Sequence, residues 1–121
     1  MAVYKWCSLF LMVLCSCGKA LPEINGLNRD LWIHDKNACS GHRTNMIASI
    51  EREKNKLLAL TEMQVVEALG KPDQHELYKR NQKFYHYFLT PAPACGRADS
   101  TVRKLTLRFT SMNLVKEISV E

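Results

Sequence analysis

Four histidines, one serine flanked by Cys39 and Gly41, and five cysteines are the side chains of this chain with the clearest chemical potential. His34, Asp35 and His42 lie close enough in sequence to suggest a metal site. Their spacing matches no zinc pattern, however, and His75-Glu76-Leu77-Tyr78-Lys79 lacks the second histidine that a helical zinc motif requires. Ser40 has no Gly-x-Ser-x-Gly elbow around it, so its hydroxyl has no exposed turn from which to attack. Asp30 with Asp35, and Glu51 with Glu53, read as caps and solvated faces. His86 sits in an aromatic run and reads as a sheet residue with a satisfied hydrogen bond. No glycine-rich phosphate loop is present. These residues predict neither an enzyme nor a metal, and no cofactor is expected.

The cysteines say more. Cys39 and Cys95 are the pair in the folded part of the chain, and no Cys-x-x-Cys spacing suggests thiol exchange. In an exported protein such a pair predicts a disulfide, with two buried free thiols as the alternative. The loop it would close is long, so the chain-entropy model assigns it about 4 kcal/mol.

Cys7, Cys15 and Cys17 belong to the N-terminal stretch, where Lys5 precedes an apolar run from Trp6 to Leu14 and Leu14-Cys15-Ser16-Cys17 follows. The run is too short to cross a hydrocarbon core of ~30 Å as a helix. It resembles a bacterial lipoprotein signal, cut before Cys17, whose thiol would then carry diacylglycerol. Plain secretion is the competing route, since Gly18-Lys19-Ala20 offers small residues to an ordinary signal peptidase. Each acyl methylene buried adds ~0.8 kcal/mol of membrane affinity, so two or three chains on one residue form a lasting anchor. Gly18 after the cysteine, in place of an acidic residue, resembles the enteric pattern that sends a lipoprotein to the outer membrane.

The organisation that follows is a signal over residues 1–16, a flexible tether over 17–29 with little to bury, and a single α+β domain over 30–121. The remaining length suits one small domain and not two. The formal net charge is +5, one unit of which is Lys5 in the leader. Without clustering, that excess favours anionic headgroups or acidic partners slightly and excludes a nucleic-acid binder.

Within the domain, Trp32 is expected on the surface as a plug stapled down by Cys39. A first helix is predicted from Thr44 or Asn45 to about Leu58, with Met46, Ile47, Ile50, Leu57 and Leu58 as its apolar stripe. Thr61 and Gln64 have capping-box spacing at the head of a second helix that Gly70 ends and Pro72 prevents from continuing. The period then becomes two. His75 to Lys79, Lys83 to Leu89, Val102 to Phe109 and Leu114 to Val120 read as strands, with Tyr85, Tyr87 and Leu89 sharing one face and Leu105, Leu107 and Phe109 turned inward. Helices first and a meander afterwards predict two helices packed on a three- to four-stranded antiparallel sheet.

Leu60-Thr61-x-x-Gln64-Val65-x-x-x-Leu69-Gly70-Lys71-Pro72, then Tyr85-x-Tyr87-Phe88 and Leu105-x-Leu107-x-Phe109, resemble the SmpA/OmlA (BamE-like) family of outer-membrane lipoproteins. The resemblance covers Leu60 to Glu121 plus the lipobox. It implies the helix-helix-meander shape, shared with β-lactamase-inhibitor-like modules, the lipid on Cys17, and a non-catalytic scaffold role in outer-membrane assembly or maintenance. Tyr85 or Tyr87 stands where that family often has a strand Trp, and the block from Asp30 to Arg43 is additional. The whole chain looks closest to small lipoproteins of Bacteroidetes-type bacteria.

Tyr78, Lys79, Arg80, Lys83, Tyr85 and Tyr87 around the first hairpin mix aromatic and basic groups that suit docking of an envelope protein or anionic headgroups. An ordinary solvated hairpin tip has the same composition. The expected role is a lipid-anchored envelope interaction module. Alternatives are an inhibitor or ligand-binding lipoprotein acting on an exported enzyme or small ligand, and an enzyme built on the segment from Trp32 to Arg43.

Overall fold

The computed structural model describes residues 21–96 and 101–121. Cys17 and the leader lie outside the described residues. Three helices, α1 (Arg29–His34), α2 (Ile47–Glu53) and α3 (Glu62–Leu69), precede four strands: β1 (Gln74–Tyr78), β2 (Gln82–Phe88), β3 (Lys104–Phe109) and β4 (Val115–Val120). The strands form one antiparallel meander in the order β1-β2-β3-β4. This is an α+β fold.

The sheet's inner face follows from alternation. Tyr87 stands opposite Leu105, and Tyr85 opposite Leu107, so their side chains share one face with Phe109. Trp32, Ile50, Leu57, Leu60, Val65 and Leu69 cover that face from the helical side and are fully buried with it. Burial of each such large apolar side chain stabilises by about 1.5–3 kcal/mol. Between α2 and α3, Val115 N donates to Leu60 O at 2.9 Å and Ala59 N donates to Val115 O at 2.8 Å. The inter-helix linker is thereby bonded to β4.

Helix α3 keeps its predicted bounds. Thr61 Oγ1 accepts from Gln64 N at 3.2 Å while Gln64 Oε1 accepts from Thr61 N at 3.0 Å, completing a capping box. At the other end Gly70 has φ +78°, which a β-carbon would strain, and an added Cβ would also meet Ile33 at 3.0 Å.

The longer helix expected from Thr44 to Leu58 is instead a broken run. Arg43–Met46 and Lys54–Leu57 are 3-10 turns on either side of α2. Met46 and Glu53 take φ near −105° with ψ near 0°, outside helical values, at the two junctions. Thr44 does not cap; its hydroxyl donates to Leu89 O at 2.8 Å and ties the run to the end of β2. The apolar stripe survives the breaks, because Met46, Ile50 and Leu57 are all buried.

Two expectations about the N-terminal part are corrected. Trp32 is not a surface plug: it is 0% exposed, since α1, capped by Asn28, turns it into the core. Its indole N–H donates to Leu69 O at 3.0 Å, satisfying a carbonyl left open at the end of α3. The second half of the expected tether is docked. Ile24 is buried, Lys56 Nζ donates to Glu23 O at 3.0 Å, and Gly26 packs against Ser49, where a Cβ would lie 2.2 Å from its hydroxyl.

Candidate interaction surface

Cys39 and Cys95 form a disulfide with Cα atoms 5.4 Å apart, closing a separation of 56 residues. It staples the 3-10 turn Pro93–Cys95 to the segment after α1, beside a small cluster of Ala38, Phe88 and Ala92. The same region holds the most buried polar groups. Asp35 accepts from Ser40 N at 2.7 Å and Arg43 N at 3.0 Å. Asp73 accepts from Asn37 N at 3.0 Å, Phe88 N at 2.8 Å and Arg43 Nη1 at 2.5 Å. Arg43 Nε donates to Trp32 O at 3.0 Å. These charges are spent on one another and on backbone, joining α1, the α3–β1 turn and the end of β2.

The residues considered for a metal do not converge. Asp35 is committed to backbone, His34 Nδ1 lies 2.7 Å from Asp30 O in its own helix, and His42 is exposed. Among the described residues no group of three or more His, Cys, Asp or Glu side chains could hold an ion. His86 is buried on the outer face of the sheet, with Nδ1 2.9 Å from Thr106 Oγ1 and its ring stacked on Phe84. Its Nε2 makes no hydrogen bond and lies 3.5 Å from Glu76 Oε1. Burial pushes the imidazole below its ordinary range, and Lys104 adds to that, while Glu76 and Glu121 oppose it.

The aromatic and basic residues of the first hairpin separate into three environments. Tyr87 leaves the surface: it is fully buried, and its hydroxyl donates to Gly70 O at 2.7 Å. Strand alternation put it on the helix side with Leu89. Burial drives its phenol pKa well above the ordinary range. Tyr85 is half-buried, edge-on to Phe109 with centroids 4.7 Å apart, and burial with Glu62 raises its pKa. Lys83 pairs with Glu62 at 3.1 Å. Tyr78, 56% exposed, sits edge-on to Phe84 on the opposite face. Lys79 and Arg80 are exposed in the turn, where Arg80 and Asn81 both have positive φ.

A groove runs between this hairpin and α3. One hollow of about 430 Å³ lies between Val66 and Pro72 on one side and Leu77 and Tyr85 on the other. A second, of about 330 Å³, continues along Met63, Val66 and Tyr85. Met63 and Leu77 are 75% and 77% exposed. The sequence reading missed this groove and the Arg43–Asp73 pair. The available signal for the groove was apolar surplus: Met63 and Val66 widen the apolar side of α3 beyond a single stripe, and Leu77 is apolar in an otherwise polar strand.

Compared with protein-family models, curated proteins and solved structures, the chain matches none of them significantly. No helix among the described residues is long and apolar enough to cross a membrane.

Proposed function

We propose that this chain is a lipid-anchored, non-catalytic interaction module of the bacterial cell envelope, held to the outer membrane through Cys17 and helping to organise an envelope protein assembly. The observation that carries the reading is the Leu14-Cys15-Ser16-Cys17 sequence after a short apolar run, in a chain whose other cysteine pair is disulfide-bonded. A disulfide across so long a loop suits an oxidising compartment, which the lipoprotein export route supplies. The domain behind the anchor divides its groups: its buried charges are spent on internal bonds, while exposed Met63 and Leu77 line one groove. That division suits presentation of a rigid surface. The resemblance to the SmpA/OmlA family, on the α3 and strand motifs, points the same way.

Replacement of Cys17 by Ser tests it. Expressed in a bacterium with lipoprotein-processing enzymes, the wild-type chain should fractionate with outer membranes and C17S should be released. Equal membrane retention of both would overturn the anchor.

A further inference from the structure

Exposed Leu21, Met63 and Leu77 lie along one strip of the surface. A hollow of about 410 Å³ beside Leu21 and Leu27 has Glu67 in its wall, and Glu67 also lines the hollow along Met63. Val66 and Tyr85 line that second hollow and the next one, at Leu77. These shared walls make the three hollows continuous, from Leu21 across α3 to the β1–β2 hairpin. Leu21 is 44% exposed, and Met63 and Leu77 are exposed more fully. Apolar side chains that stand out of a polar rim mark a surface that meets lipid or protein.

The chain itself brings lipid to this strip. Leu21 follows Cys17 by four residues, so their Cα atoms are at most about 14 Å apart. With Cys17 acylated, the leaflet is present at high effective concentration, whereas a partner protein has to arrive by diffusion. Charge selects the same occupant. At the Leu21 end, Glu23 and Glu67 accompany Arg29, and further along Glu62 is taken by Lys83 at 3.1 Å. At the far end the hollow at Leu77 carries Lys71, His75 and Lys83 and no acid, and Lys79 and Arg80 follow in the turn. Lys71, Lys79 and Arg80 have no acidic partner among the described residues. The strip is therefore tethered at one end and basic at the other, and an acyl anchor combined with a basic patch is a two-point membrane attachment. Resting on the reading of Cys17 as the anchor, we infer that the domain lies with this α3–hairpin strip on the leaflet that holds its own acyl chains. Met63 and Leu77 enter the headgroup region, and Lys71, Lys79 and Arg80 meet anionic phosphate. The module then meets lipid through its groove and protein through its other faces.

The test uses the acylated, oxidised chain, purified from bacterial membranes and placed singly in lipid nanodiscs of phosphatidylcholine and phosphatidylglycerol. A spin label on the lipid headgroups broadens the NMR signals of methyl groups close to the leaflet. Leu21, beside the anchor, should broaden in any orientation and is the internal standard. Met63 and Leu77 should broaden with it, while Ile118 and Val120 of β4, at the far edge of the sheet, should stay sharp. In discs of phosphatidylcholine alone the broadening at Leu77 should fall. K71Q/K79Q/R80Q should lower the docked-to-free ratio by about fivefold for each cation removed. L77D should reduce the broadening at Met63. Both variants change exposed positions and should keep the wild-type melting transition. Met63 and Leu77 as sharp as Ile118, equal broadening at both edges of the sheet, undiminished broadening in phosphatidylcholine alone, or unchanged docking of K71Q/K79Q/R80Q would overturn the inference. So would groove signals that respond only when a second copy or an envelope extract is added. Intact mass separates the two readings: a chain without acyl groups overturns the anchor and the inference together, whereas an acylated chain with sharp groove signals overturns the inference alone.

Discussion

The guanidinium of Arg43 sits between Asp73 and the ring of Trp32, with Nη1 2.5 Å from the carboxylate and its central carbon 4.8 Å from the indole centroid. Both ion-pair side chains are almost completely buried. The pair links the segment after α1 to the turn before β1, with Phe88 O as a further acceptor at 3.3 Å.

Removing one charge from this site strands the other. R43M should destabilise the domain by about 3–5 kcal/mol, because the Asp73 carboxylate would stay buried with backbone donors alone. Urea denaturation of the oxidised protein measures this. A loss below about 1 kcal/mol would show that water or a shifted side chain replaces the guanidinium.

The disulfide acts on the unfolded chain. Replacing Cys39 and Cys95 together by serine should cost about 4 kcal/mol, set by the length of the closed loop. The denaturant midpoint should fall while the spectrum of the native sheet persists in the absence of denaturant. An unchanged midpoint would mean that the two segments are already held together in the unfolded ensemble.

His86 gives the domain a pH dependence of known sign. Its folded pKa lies below the ordinary 6.5, so between the two values the unfolded chain binds more protons and stability rises with pH. The contribution is complete above about 6.5, shrinks as pH falls, and is lost below the folded pKa. Unfolding free energies measured from pH 7.5 to 5 should therefore decline more steeply for the wild type than for H86F. Parallel curves would contradict this.

The sheet was legible in the sequence because two-residue alternation in β2 and β3 leaves one arrangement that buries Tyr87, Leu105, Leu107 and Phe109 together. Helix α3 was legible because Thr61, Gln64 and Gly70 each perform a local backbone task. The burial of Trp32 is hidden from the sequence because it depends on α1, a six-residue helix whose apolar pattern is too short to register, and on a carbonyl of Leu69 far along the chain. Arg43 and Asp73 were invisible for the same reason: a buried ion pair between distant residues leaves no periodic trace. Composition alone places Tyr87 among the surface aromatics, because it does not tell the two faces of a strand apart, whereas parity with Leu89 does.

The intact mass of the protein recovered from bacterial membranes tests the central claim most directly. The account predicts a chain beginning at Cys17, heavier than its sequence by the glyceryl and acyl groups and lighter by the two hydrogens lost in joining Cys39 to Cys95. A full 121-residue polypeptide with no added lipid and every thiol open to alkylation would contradict it.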